Sequence, residues 1–178
     1  MARFQAIPFE EATGATAEVF TALKQSLGRI PNAYSTLGSL QPAALKAMLA
    51  ADKALAGGSL SKPDQETVKL VVSEAVGCDY CVAAHTLVGK MAGLSPEAMR
   101  QVRAGQPTGD AKRDALVRFV RYLLAHPGTL PDAEVSAILE AGYTPQQLVE
   151  VGLAISVITF TNVFNRINDT VLDFPKPQ

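Results

Sequence analysis

Helix-opening signals recur through this 178-residue chain so closely that little but helices fits between them. Ser61-Lys-Pro-Asp64, Ser95-Pro96, Pro131-Asp132 and Thr144-Pro145 combine capping residues, prolines and acids in the way a first helical turn accepts. A capping oxygen satisfies an orphan N–H there, proline has no N–H to lose, and negative charge suits the helix N-terminus. Between these openings apolar residues recur at helical spacing. Val19, Phe20, Leu23 and Leu27 form one such series and stop at Gly28, ahead of Pro31. A short segment around Ala33–Leu40 precedes Pro42, and a second periodic stretch runs from Ala43 to Ala56, closed by Gly57-Gly58.

Ser61 opens a helix to about Val76, Gly77 interrupts, and the next helix reaches about Ala92. Further helices are expected at 96–104, 110–126, 132–141 and 145–169, with an extended tail from Asp173. No segment reads as a strand, since the Val- and Ile-rich stretch Val151–Ile158 is too long and too flanked by helix formers. The class is all-α. The segments after Ser95 and Thr144 differ, so the caps recur without a repeat architecture.

A chain of this length that is 48% hydrophobic fits a single domain over 1–178 and buries a core without metal or disulfide staples. The formal charge of −1 is dispersed, which argues against a nucleic-acid footprint and against a polybasic membrane patch. The N-terminal residues lack the apolar region of a secretory signal, and the expected location is cytoplasmic. Val151–Phe164 spans about four turns, short of the roughly 20 residues of a membrane span, and is expected to be a buried core helix in which Phe160 and Phe164 pack inward. Neither G-x-G-x-x-G nor a P-loop is present, so no cofactor is expected.

The only two cysteines, Cys78 and Cys81, form a C-x-x-C pair followed by His85. On a helix these residues share one face, which brings an imidazole within reach of a sulfur. A free thiol with a pKa of about 8.5 is only a few per cent thiolate at neutral pH, and a nearby base or a helix N-terminus raises that fraction. The motif admits a reactive dithiol, a zinc site or two inert core thiols. Zinc would need a fourth ligand, and His126, the other histidine, lies before Pro127 at a helix end.

Glu66 would lie about 18 Å from Cys78 along one unbroken helix. A turn at Gly77 instead sets Glu66 about 16 Å down one arm and His85 about 12 Å down the other, so that the two can meet. The carboxylate would then fix the imidazole tautomer, as the orienting group of a Glu66–His85–Cys81 relay. Glu74 and Asp79 read as solvated acids on helix surfaces, and Tyr80, Asn162 and Asn165 as packing or hydrogen-bonding residues.

The pattern Glu66-x(11)-Cys78-x-x-Cys81-x-x-x-His85 resembles the core motif of the AhpD-like alkylhydroperoxidases in the carboxymuconolactone decarboxylase superfamily. The likeness covers about residues 60–94, and the segment from Phe160 to Asn168 is similar to the closing helix of the peroxidase-related subgroup. The resemblance implies an AhpD-like helical bundle with the C-x-x-C motif at the start of a core helix, assembled as a homo-oligomer, a trimer or hexamer. It implies a thiol-dependent peroxidase that acts on hydrogen peroxide or organic hydroperoxides and is re-reduced by an external thiol or dithiol, with no metal. By the same analogy Cys81 attacks the peroxide, Cys78 resolves the sulfenic acid to a disulfide, and Glu66 and His85 relay the proton. From the residues alone Cys78, nearer the helix N-terminus, competes for the lower pKa, which leaves the attacking sulfur open. The best-known members carry a histidine where this chain has Tyr80, and tyrosine is no base near neutral pH. A dithiol carrier or disulfide reductase for a partner protein, and a non-enzymatic helical assembly or binding module, are the alternatives.

Overall fold

In the computed structural model, which describes residues 2–177, the helix opened by Ser61 sits at the centre of the molecule. In chain order the helices are α1 (Gly14–Leu27), α2 (Asn32–Leu40), α3 (Pro42–Ala56), α4 (Lys62–Ala75), α5 (Asp79–Met91), α6 (Pro96–Ala104), α7 (Ala111–Ala125), α8 (Asp132–Glu140) and α9 (Pro145–Asn168). A 3-10 turn, Phe9–Glu11, precedes them, and no strand occurs among the described residues. The expected caps form except at Pro131, which starts α8 without a side-chain cap. Ser61 accepts from the Asp64 N–H, Ser95 from Ala98, Asp110 from Lys112 and Arg113, and Thr144 and Gln147 close a reciprocal capping box.

α4 is buried without interruption from Gln65 to Ser73 and packs against α5, α6, α7 and α9. A helix covered on all sides must satisfy its polar side chains internally. Gln65 Nε2 accordingly donates to the Leu55 and Leu60 carbonyls at 2.9 and 2.7 Å, and Ser73 Oγ donates to Asn162 Oδ1 on α9 at 3.2 Å. Gly77, at φ +66°, makes the left-handed turn that ends α4, and the Cys78 N–H returns to the Ser73 carbonyl at 3.0 Å. The chain then folds back, laying α5 along α4.

The segment 33–40, which has no pronounced periodicity, is the helix α2. α9 departs from expectation in two respects. The apolar run is part of a 24-residue helix, long and apolar enough by length and composition to cross a membrane, so run length alone does not argue against a span. It is also amphipathic rather than wholly buried. Val151, Ala154, Ile158, Asn162 and Asn165 recur three and four residues apart and face the protein, whereas Phe160 and Val163 fall between them and stay 39% and 48% exposed. Phe160 is therefore not a core residue, and Phe164 is half-buried against the core. Three of the buried side chains of α9 are the asparagines 162, 165 and 168, which dock it on protein: Asn162 meets Ser73, and Asn168 Oδ1 accepts the Phe4 N–H at 2.9 Å.

Candidate active site

The turn at Gly77 brings Glu66 of α4 and His85 of α5 together, with His85 Nδ1 2.7 Å from Glu66 Oε2. Glu66 is 3% exposed, which rules out a solvated first-turn acid. Burial alone would raise its carboxyl, but the charge and hydrogen bond of His85, then those of Lys69, outweigh it and hold the group below the usual carboxylate range. An ionised carboxylate only accepts, so the Nδ1 proton of His85 is the one shared with Glu66 and Nε2 is left as the basic nitrogen.

Lys69 continues the chain of charge. Its Nζ lies 3.5 Å from Glu66 Oε1 and 3.2 Å from Asp52 Oδ1 on α3. Burial would lower the ammonium, but Glu66 and Asp52 more than compensate and keep it above the ordinary lysine value. The row therefore alternates Asp52, Lys69, Glu66 and His85, with Lys69 and Glu66 its buried middle members. Sequence reasoning missed Lys69 and Asp52. The i,i+3 spacing of Glu66 and Lys69 was a usable signal, whereas Asp52 joins only through the packing of α3.

Cys78 is the N-cap residue of α5 and Cys81 lies in its first turn; both are free and buried. A hydrogen bond from the Cys81 thiol lowers the Cys78 thiol, outweighing burial, with smaller help from Arg166. Cys81 is pushed up by its interaction with Cys78 and then by burial, opposed by Asn165 and Thr161. Cys78 is therefore the more acidic of the two thiols, and Cys81 the one that holds its proton.

Access favours the other sulfur. Cys81, not Cys78, lines a cavity of about 370 Å³ together with His85, Tyr34, Asn165 and Phe174. The cavity wall is largely apolar, with Leu87, Val88 and Met91 of α5 toward solvent. Tyr34, whose phenol is raised by burial and then by the negative charge of Asp52 and, less, of Glu66, stays neutral and can donate a hydrogen bond. Glu74 and Asp79 are exposed, with Glu74 paired to Arg103 at 2.7 Å. His126 caps the end of α7 and stacks on Tyr122, with 4.0 Å between ring centroids.

Asn165 is the residue whose role the sequence left least defined. Its Nδ2 donates to Cys81 Sγ at 3.3 Å, and its buried Oδ1 has no hydrogen-bond partner among the described residues. Turned about its axis, the same amide accepts from the Cys81 thiol, so it can serve both protonation states. A hydrogen bond to a charged group is worth about 1.5 kcal/mol or more, which is about tenfold in an equilibrium. Asn165→Leu is accordingly expected to slow alkylation of Cys81 by about tenfold at neutral pH, measured with iodoacetamide in a Cys78→Ser background. An unchanged rate would remove Asn165 from the site.

Residues 42–111 match the family model described as the carboxymuconolactone decarboxylase family. The solved structure of a peroxidase-related protein with an alkylhydroperoxidase AhpD core, from Ralstonia eutropha JMP134, superposes with a TM-score of 0.84 at 20% identity, covering 97% of this chain and 92% of that one. A debrominase, Bmp8, solved with 2,3,4-tribromopyrrole, gives 0.79 at 17% identity over 96% and 91%. A peroxidase-related protein from Silicibacter sp. TM1040 gives 0.76 at 20% identity over 96% and 94%. No curated protein matches the chain. At these identities the superpositions speak for the fold, which is that of the AhpD core throughout, while the family match spans α3 to the start of α7 and so contains the whole Glu66–Cys78–Cys81–His85 motif. The chain thus has the AhpD-core fold, and over residues 42–111 it is similar to the carboxymuconolactone decarboxylase family.

Proposed function

We propose that the protein is a thiol-dependent peroxidase that reduces hydrogen peroxide or organic hydroperoxides at Cys81. The observation that carries this reading is the placement of Cys81 and His85 on one cavity wall, with His85 held by the buried Glu66 at 2.7 Å. His85 takes the Cys81 proton, and the thiolate attacks the distal peroxide oxygen. The O–O bond breaks, Cys81 becomes a sulfenic acid, and the proton passes from His85 to the leaving alkoxide as the alcohol forms. Cys78, already the more acidic thiol, then attacks the sulfenic sulfur and expels hydroxide, which takes up a solvent proton as water. Two electrons leave the dithiol, and an external thiol or dithiol restores it.

The organisation in this reading is a cytoplasmic single-domain subunit in a homo-oligomer. The exposed apolar face of α9, with Val149, Phe160, Val163 and Ile167, supports the assembly. The cavity's apolar wall and the likeness to a debrominase favour one second reading, reductive dehalogenation of a compact haloaromatic. There the same dithiol would supply two electrons, giving a disulfide, the dehalogenated ring and hydrogen halide. The test is steady-state turnover with excess dithiothreitol, offering cumene hydroperoxide and 2,3,4-tribromopyrrole in parallel. Consumption of the hydroperoxide with loss on Cys81→Ser is expected, and bromide release without peroxide turnover would replace the first reading by the second.

A further inference from the structure

Tyr80, which adjoins Cys81 in the motif, takes no part in the acid–base chain. Its ring is buried, and its hydroxyl accepts the Ala33 N–H at 3.1 Å and donates to Asp173 Oδ1 at 2.7 Å. The second carboxylate oxygen of Asp173 accepts from Arg29 Nη2 at 2.8 Å and from the Asn32 N–H at 3.1 Å. Arg29 Nη1 also reaches the Asp173 carbonyl at 3.1 Å, and Asn32 Nδ2 the Val171 carbonyl at 2.9 Å. One side chain from the motif and two residues flanking the start of α2 therefore converge on a single carboxylate. It lies in a segment that has left α9 and has no regular structure of its own.

Phe174 follows directly. It stands edge-on to the Tyr80 ring with centroids 5.5 Å apart and an interplanar angle of 82°, and the Arg29 guanidinium covers it at 4.7 Å. The same ring lines the cavity that holds Cys81 and His85. The conformation of this wall is thus set from inside the C-x-x-C motif.

We propose that Phe174, clasped by Tyr80, Asp173 and Arg29, forms a selectivity wall of this cavity that limits what reaches Cys81 to small molecules and compact apolar ones. Within the peroxidase reading, on which only the naming of substrate rests, these are hydrogen peroxide and compact aryl or branched-alkyl hydroperoxides, with bulky or long-chain ones held out. Tyr80 is a positioning residue. Its hydroxyl fastens the wall, a task a histidine at this position would not perform with the same reach.

The test uses alkylation, which needs no peroxide chemistry and so separates this inference from the proposed reaction. In the 178-residue chain carrying Cys78→Ser, the rates of Cys81 modification by iodoacetamide and by fluorescein maleimide are compared with and without Phe174→Ala, Asp173→Ala or Tyr80→Phe. The ratio of bulky to small reagent should rise about tenfold or more in Phe174→Ala, the scale on which a pocket discriminates by size. It should rise comparably in Asp173→Ala and by a smaller factor in Tyr80→Phe, which leaves the Arg29 and Asn32 bonds in place. Phe174→Leu, which keeps an apolar side chain, serves as the second variant should Phe174→Ala fail to fold. A ratio that stays within about twofold in the Phe174 variants overturns the wall, and one that moves there but not in Asp173→Ala overturns the clasp.

Discussion

Cys78→Ser is expected to consume one hydroperoxide per chain and stop with a sulfenic acid on Cys81, while Cys81→Ser consumes none. The expectation follows from a division of labour between two sulfurs three residues apart. Cys81 meets the cavity and shares its wall with His85, whereas Cys78 is the more acidic thiol and is not among the residues lining that cavity. An acidic thiol set off the cavity is badly placed to meet a substrate and well placed to attack its partner once that has been oxidised. The analogy with the family and the access argument thus select the same attacking residue, although the electrostatics alone select the other. Trapping with dimedone followed by mass analysis reads the outcome: an adduct on Cys81 in Cys78→Ser supports the assignment. An adduct on Cys78 in Cys81→Ser alone would reverse the two roles.

Removing His85 should have the next largest effect. General acid–base groups contribute about 10²- to 10⁴-fold, so His85→Ala is expected to lower the rate of Cys81 oxidation by that range without unfolding the chain, since the side chain is only half-buried. Glu66→Gln behaves differently because it touches stability as well as rate. It leaves the buried Lys69 ammonium with Asp52 as its one remaining carboxylate, and breaking a buried pair costs about 3–5 kcal/mol, toward the lower end where a second partner is retained. The pH dependence follows from the sign of the shift. Glu66 has its folded carboxyl below the unfolded value, so its contribution is complete above the unfolded value and is lost as pH falls through the folded one. Wild type should therefore lose more stability on acidification than Glu66→Gln does, measured as urea midpoints between neutral and acid pH. Equal losses would mean that the Glu66 carboxylate is not coupled to folding.

The helical class and nearly every helix start were legible because capping chemistry is local. Ser61, Ser95, Asp110 and Thr144 act within three residues of themselves, and their partners can be read from the chain. The meeting of Glu66 and His85 was legible for a related reason, since a single left-handed glycine turns two helices of known rise back on each other. What lay beyond reading was set by packing between distant elements. Asp52 reaches Lys69, in the middle of α4, only through the placement of α3, and Tyr80 finds Asp173 across 93 residues of chain. The asparagines of α9 fall between these cases. Their three-residue spacing marks one face, but that the face would meet Ser73, Cys81 and Phe4 in turn depends on how three separate elements dock. The outer face of α9 was misjudged because hydropathy counts apolar residues without saying which side of the helix they occupy.

The most direct test of the central claim is the state of the tryptic peptide 70–90, which contains both cysteines, after fully reduced protein meets one equivalent of cumene hydroperoxide without air. A redox-active dithiol predicts a peptide lighter by two hydrogens, carrying a Cys78–Cys81 disulfide, formed at once and reversed by dithiothreitol. A peptide that keeps both thiols after hours of exposure would contradict the peroxidase account.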